Sequence, residues 1–367
     1  MLASIRRIAV VVDGRPVGAP TRAADESLDD GEIMTAEPTT TPTPRVSVVM
    51  PAFDAAAFVA TAIASLRAQT LTDWEAIVVD DASRDDTAAV VAAIARDDPR
   101  IRLLRQEANR GPAAARNAGL AAARGTWIAL LDADDTYAPD RLAKLVAYGE
   151  REALDVVADN VWLKDPTRGV VVRSGLPRDG RVRDWTLRAH LTHEMPASGF
   201  VYGLLKPIVR RDFVERIGLR YRVEFRYGED FLFYAELFLN GARGRILSEP
   251  GYTYVLPISE VDGARSDRSR TSMQASELVR VGDHLLATFA DRLAPADVAL
   301  LHLRARYLAH REAAEDLKAM RREGRYAAML ALVAERPFLL RFVLRGALWR
   351  LRAAWANHDL RAGRRIG

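Results

Sequence analysis

Trp127-Ile128-Ala129-Leu130-Leu131-Asp132-Ala133-Asp134-Asp135 sets five apolar residues directly before three carboxylates in four positions. A short apolar run bounded by polar residues reads as a strand buried on both faces, so the acids fall at its carboxyl end. Outward from this run, an Ala-rich helical stretch at 112–123 precedes it and another at 139–151 follows, with Pro112 and Pro139 in the first-turn position that tolerates a missing N–H. The same alternation begins at Val46. Strands are predicted at 46–50, 74–79, 101–104, 127–131 and 155–158, with helices at 56–68, 85–95, 112–123 and 139–151. Strands joined by helices lie parallel through right-handed crossovers. The expected fold class is therefore α/β, a Rossmann-like, mostly parallel sheet with helices on both faces, followed by a C-terminal helical region.

The flanks differ in texture. Residues 1–44 are rich in Asp, Glu, Thr, Pro and Gly and end in Thr39-Thr40-Thr41-Pro42-Thr43-Pro44, the composition of a disordered leader and linker. The apolar stretch at 8–12 is too short for a signal-peptide core, so export is not expected. The chain of 367 residues contains no Cys, which excludes disulfide scaffolds, thiolate nucleophiles and Cys-ligated metal centres. With 28% charged residues and no uncharged run near the roughly 20 residues of a membrane span, a soluble globular protein is expected. The formal net charge of +4 is too small to suggest a nucleic-acid partner.

In an open parallel sheet, ligands bind at the carboxyl ends of the strands, where loops converge and helix N-termini point. The segments there are Pro51-Ala52-Phe53-Asp54, Asp80-Asp81-Ala82-Ser83, Asn109-Arg110-Gly111-Pro112 and Asp132-Ala133-Asp134-Asp135. Crowded carboxylates repel, and a hard cation such as Mg²⁺ or Mn²⁺ relieves that repulsion while leaving sites for phosphate oxygens. A solvated acidic turn ahead of the helix at 139 accounts for the same cluster equally well. Ser83 and Asp86 fit a capping box, which leaves Asp80 and Asp81 where a base edge could hydrogen-bond to them. Phe53 beside Asp54 offers an aromatic face and an acceptor. No G-x-G-x-x-G follows the first strand and no P-loop occurs, which sets aside dinucleotide dehydrogenases and P-loop kinases. His190 and His193 share a helix face, but without a further motif they read as surface or acceptor-lining residues. Arg265, Arg268 and Arg270 read as a basic loop over a diphosphate or as a solvated segment.

Val48-Val49-Met50-Pro51-Ala52-Phe53-Asp54, Val78-Val79-Asp80-Asp81-Ala82-Ser83 with Asp86-Thr87, Asn109-Arg110-Gly111, Ala115-Arg116-Asn117-Ala118-Gly119 and Leu130-Leu131-Asp132-Ala133-Asp134-Asp135 occur in order. Over about residues 45–240 this series resembles the family-2 glycosyltransferases of GT-A fold. The segment Gly203-Leu204-Leu205-Lys206-Pro207 with 227–234 resembles bacterial exopolysaccharide enzymes of the succinoglycan type. The resemblance implies a nucleotide-sugar donor, a UDP-sugar first among them, a saccharide or lipid-linked saccharide acceptor, and an inverting transfer with Mg²⁺ or Mn²⁺ on the diphosphate. It places Pro51, Phe53, Asp54 and Asp81 around the nucleoside and makes Asp132-Ala133-Asp134 the D-x-D signature. Asp134 and Asp135 become candidate metal ligands. Tyr227-Gly228-Glu229-Asp230 matches the family's acidic pair, with Asp230 as general base. Asp54 departs from the Asn of many members, and no Gln-x-x-Arg-Trp follows Asp230, which implies non-processive transfer.

The expected division is then 45–160 as the nucleotide-sugar-binding half, 161–265 as the acceptor-binding and catalytic-base region, and 266–367 as the helical region. A non-catalytic nucleotide-sugar or carbohydrate-binding module is the alternative, and the intact acidic triplet and Asp230 argue against it. On a helical projection from Phe338, Leu340, Val343, Leu344, Ala347, Leu351 and Trp355 gather opposite Arg341, Arg345 and Arg352. This basic amphipathic pattern suits an anionic membrane surface, and so a cytoplasmic protein peripheral at the inner face of the plasma membrane; a helix packed on the domain suits it equally.

Overall fold

The computed structural model describes residues 43–195, 199–256, 273–336 and 340. The leader expected as far as residue 42, residues 257–272 and the basic tail from 341 lie outside them.

The first half follows the predicted alternation: β1 (Val46–Ala52), α1 (Val59–Arg67), β2 (Trp74–Asp80), α2 (Thr87–Asp97), β3 (Ile101–Arg105), α3 (Pro112–Ala122), β4 (Trp127–Leu130), the two-residue β5 (Thr136–Tyr137), α4 (Arg141–Arg151) and β6 (Val156–Lys164). β2 is buried along its whole length, with the apolar run Ala76–Val79 at its centre, as expected of a strand in a sheet covered on both faces. The small residues of α3 have a packing reason: a Cβ on Gly119 would lie 2.2 Å from Val49 Cγ1, so the helix rests directly on β1. Pro139 stands two residues ahead of α4 rather than in its first turn, and Gln69 Oε1 accepts from Leu142 N at 3.0 Å to satisfy that helix start.

The second half supplies β7 (Val171–Ser174), β8 (Arg183–Trp185), α5 (Leu187–His193), a 3₁₀ turn (Tyr202–Leu204), β9 (Ile208–Arg210), α6 (Arg211–Arg216), α7 (Glu229–Leu239) and β10 (Gly244–Val255). Three helices close the described chain: α8 (Met273–Thr288), α9 (Pro295–Arg322) and α10 (Tyr326–Glu335). The sheet runs β3-β2-β1-β4-β9-β6-β10-β5, with β7 on β6 and β8 on β10. Its first four strands are parallel. β9 is antiparallel to both β4 and β6 and separates them, so the strand predicted at 155–158 is parallel to β4 without touching it. β6 runs past residue 160 and pairs in parallel with β10 from Val156 to Lys164.

α7 is apolar on nearly every side because it lies between two cores. Phe233, Tyr234, Leu237 and Phe238 join the sheet core, while Phe231, Leu232 and Ala235 pack with Val281 and Leu285 of α8, with Phe289 just after it, and with Leu301 of α9. Gly228 ahead of it has φ +81°, and a Cβ there would meet Leu278 at 2.8 Å. This packing aims the helix N-terminus, with Glu229 and Asp230, at the carboxyl rim of the sheet. Among the described residues no helix is long and apolar enough to cross a membrane.

Candidate active site

The rim begins with two strained turns. Asp54 after β1 and Ala82 after β2 have φ of +48° and +58°, a region that costs a non-Gly residue of order 1–3 kcal/mol and needs outside support. Asp54 N donates to Ser83 Oγ at 3.0 Å, Arg84 N donates to Asp54 Oδ1 at 2.8 Å, and Ser83 N donates to Asp80 Oδ1 at 3.2 Å. Ser83 thus ties the two loops together and is not the helix cap that its spacing suggested. α2 starts at Thr87, whose N donates to Asp85 Oδ1 at 3.0 Å.

Arg84 also forks onto the Asp54 carboxylate and holds it below the usual carboxylate range. The guanidinium lies 5.4 Å from the ring of Phe53, which is 39% exposed. Pro51 is partly buried at the end of β1. Asp81 is buried, and its two oxygens accept from Arg110 N at 2.9 Å and Gly111 N at 2.8 Å. Pro51, Phe53, Asp54 and Asp81 therefore share one end of the rim, with both carboxylates engaged by protein donors.

The acidic triplet splits three ways. Asp132 Oδ1 lies 3.2 Å from Arg116 Nη2 and Oδ2 lies 3.0 Å from Lys206 Nζ. Burial pushes this carboxyl up, but Lys206 and then Arg116 overcome that and hold it below its ordinary value. Asp134 is exposed. Asp135 is turned inward: Tyr252 Oη donates to Oδ2 at 2.6 Å and Val255 N donates to Oδ1 at 2.7 Å. Burial, with Asp132 and Asp134 close by, pushes the Asp135 carboxyl well up. Both oxygens of Asp135 tie the turn after β4 to β10, a bonding that competes with the metal-ligand role expected of it.

Asp230 closes the site from the other side. Lys206 Nζ donates to its Oδ2 at 2.8 Å, whereas its buried Oδ1 has no hydrogen-bond partner and lies 3.5 Å from Arg116 Nη1. Glu229 Oε1 accepts from Arg116 Nη1 at 2.9 Å, and burial pushes the Glu229 carboxyl up. Burial works against the charge of Lys206, but Asp132 and Asp230 outweigh it and hold the ammonium protonated above its ordinary range. Two cations thus join three carboxylates from β4 and α7. Neither Arg116 nor Lys206 received a role from sequence, although both stand inside segments that carry the family resemblance. An Arg in an Ala-rich helix, 4% exposed here, was the available signal.

Among the described residues no group of three or more His, Asp or Glu side chains is arranged to hold a metal ion. Of the triplet, Asp134 is the exposed member, and a hard carboxylate of this kind is compatible with a cation such as Mg²⁺ or Mn²⁺ whose other sites are filled by phosphate and water. His190 is a core residue rather than a surface or acceptor-lining one: it is fully buried, stacks on Phe231 at 4.9 Å, and its Nε2–H donates to the Phe231 carbonyl at 3.0 Å. His193 stacks on Tyr202 with ring centroids 3.9 Å apart. Arg265, Arg268 and Arg270 lie outside the described residues.

A mostly parallel sheet whose carboxyl rim carries a D-x-D run beside the acidic start of a buried helix is the GT-A arrangement. Comparisons with known proteins agree. The model of glycosyl transferase family 2 matches residues 47–202. The succinoglycan biosynthesis protein ExoU of Rhizobium meliloti is 33% identical over 246 residues, covering 65% of this chain and 70% of that protein. ExoO of the same organism is 37% identical over 212 residues, covering 58% of this chain and 60% of that protein. The chain belongs to glycosyl transferase family 2. The structure of S. aureus TarS in complex with UDP-GlcNAc shares the fold, with a TM-score of 0.54 and 21% identity over 73% of this chain and 72% of that one.

Proposed function

We propose that this chain is an inverting, non-processive hexosyltransferase that moves one sugar from a nucleoside-diphosphate sugar to a hydroxyl of a saccharide or lipid-linked saccharide acceptor. A UDP-sugar is the first donor to try. The observation that supports the reading is the meeting of Asp132 and Asp230 about one ammonium, that of Lys206, which brings the D-x-D run and the acid proposed as base into one site. The succinoglycan roles in the names of ExoO and ExoU support exopolysaccharide assembly as the setting. The missing Gln-x-x-Arg-Trp supports single addition.

An acceptor hydroxyl is a poor nucleophile until it gives up its proton. As its oxygen bonds to the anomeric carbon, the proton passes to Asp230, and the bond from that carbon to the diphosphate oxygen breaks with its electron pair. The nucleoside diphosphate leaves, and attack from the opposite face inverts the centre. Phe53 and Pro51 offer the base an apolar face, with Asp54 and Asp81 as acceptors beside it. Asp134 would hold Mg²⁺ or Mn²⁺ against the donor phosphates, and that ion would supply positive charge to the departing group.

The proposed location is cytoplasmic, peripheral at the inner face of the plasma membrane through the basic segment from residue 338. Co-sedimentation with anionic vesicles tests that part: equal binding of the full chain and of a truncation at Arg336 overturns it. The donor reading is tested by a thermal-shift panel of nucleoside diphosphates with and without Mn²⁺, in which the cognate one raises Tm by mass action. A panel in which none raises it overturns the donor reading.

A further inference from the structure

We infer that Lys206 is the positioning residue of the base: its ammonium holds Asp230 by one carboxylate oxygen, leaves the other for the acceptor's proton, and couples this placement to Asp132. The inference rests on the reading of Asp230 as base. Lys206 stands between the 3₁₀ turn and β9, with its side chain 4% exposed. An ammonium taken out of water needs carboxylate partners for its N–H donors. Lys206 finds two, from different elements, at 2.8 Å and 3.0 Å. The consequence for Asp230 is asymmetric, since Oδ2 takes a hydrogen bond from Lys206 whereas Oδ1 has no hydrogen bond and only the longer ion-pair contact with Arg116 at 3.5 Å. The Lys206 bond on Oδ2, with the Arg116 guanidinium 3.5 Å from Oδ1, restricts the rotation of the carboxylate and so favours one placement of its second oxygen.

The main chain around Lys206 is pinned from two sides, which charge balance alone would not require. Tyr234 Oη, one turn along α7 from Asp230, donates to the Leu205 carbonyl at 2.9 Å. Arg141, from the buried layer below, donates to the Lys206 carbonyl. Pro207 then restricts the backbone that follows. The base and its holder are therefore fixed to the same helix, and Arg116 supplies a second cation to Asp132, Glu229 and, at 3.5 Å, Asp230.

The test uses the full chain and its variants K206M, K206R, D230N and D230N/K206M. The readout is UDP release from UDP-glucose and UDP-GlcNAc with water as acceptor, alongside UDP affinity by calorimetry and Tm. K206M is expected to lower kcat by about 10–100-fold with donor KM changed by less than about threefold, and K206R to recover part of the loss. Because Lys206 acts through Asp230, adding K206M to D230N should slow it no further. Two results overturn the inference: K206M with a lowered Tm but kcat within about twofold of wild type, or K206M slowing D230N by the same factor as it slows wild type. If K206M does not fold, K206Q is read by the same ratios. D230N turning over at the wild-type rate defeats the base reading instead, so the two failures are distinguishable.

Discussion

Arg141 and Asp159 form a buried ion pair directly beneath the site, with Nη2 2.7 Å from Oδ1 and Nε 3.0 Å from Oδ2. The guanidinium lies 4.3 Å from the Tyr137 ring and 5.2 Å from that of Tyr252, whose hydroxyl accepts from Asp132 N at 3.2 Å. One cation thus supports the backbone of both Lys206 and Asp132. Its room is made by Gly251, where a Cβ would lie 2.2 Å from Asp159 Oδ2.

Asp159→Ala leaves this Arg buried without its carboxylate, and the expected loss is about 3–5 kcal/mol. Gly251→Ala should cost about 1–3 kcal/mol through overpacking. Urea unfolding monitored by tryptophan fluorescence measures both. An Asp159→Ala protein as stable as wild type would show that the pair does not hold the layer.

Asp134 and Asp135, though adjacent, should respond in opposite ways. Asp134→Ala is expected to weaken UDP binding in Mn²⁺ to the level that wild type shows in EDTA, with stability unchanged. Asp135→Ala should cost about 1–3 kcal/mol of stability by orphaning Tyr252 Oη and Val255 N. Titration calorimetry with UDP, paired with thermal melts, separates the two; equal wild-type affinity in Mn²⁺ and EDTA would remove the metal from the proposal.

Asp230→Asn keeps the shape of the side chain and its contact with Lys206 but removes the base. Transfer should fall by about 10²–10⁴-fold with UDP affinity nearly unchanged. Turnover above roughly a tenth of wild type on the true acceptor would assign the base elsewhere.

Burial depresses the pKa of His190 to about 3, against the 6.5 of an exposed imidazole. Between those values the unfolded chain binds a proton that the native state refuses, so stability falls as pH falls through the window. The slope is at most about 1.4 kcal/mol per pH unit. Between about pH 7.5 and pH 5 wild type should lose about 1–2 kcal/mol more than His190→Gln, which keeps a donor for the Phe231 carbonyl. Parallel losses in urea midpoints at the two pH values would count against this assignment.

Legibility followed the range of the interaction. β1, β2, β3 and β4 with their helices could be read to within a few residues, because burial on both faces and helix periodicity are written into consecutive positions. Asp132, Asp134 and Asp230 could be located because each adjoins a recognisable element end. The inward turn of Asp135 could not, since its partners Tyr252 and Val255 lie on β10. Nor could the capping role expected of Ser83 be told from its bond to Asp54, because both use the same hydroxyl and differ only in what stands opposite.

By itself the sequence determined an α/β layer with acids on its carboxyl rim, because strand burial, helix starts and the polar residues that follow strands are local consequences of residue order. Only the tertiary structure decided that β9 enters antiparallel between β4 and β6, and that the segment leading into it holds Lys206 in the gap between Asp132 and Asp230. Such pairings are selected by which distant surfaces close the core and compensate buried charge. No window of neighbouring residues contains both partners of Lys206, so the ammonium that joins the two halves of the site appears only when the chain is folded.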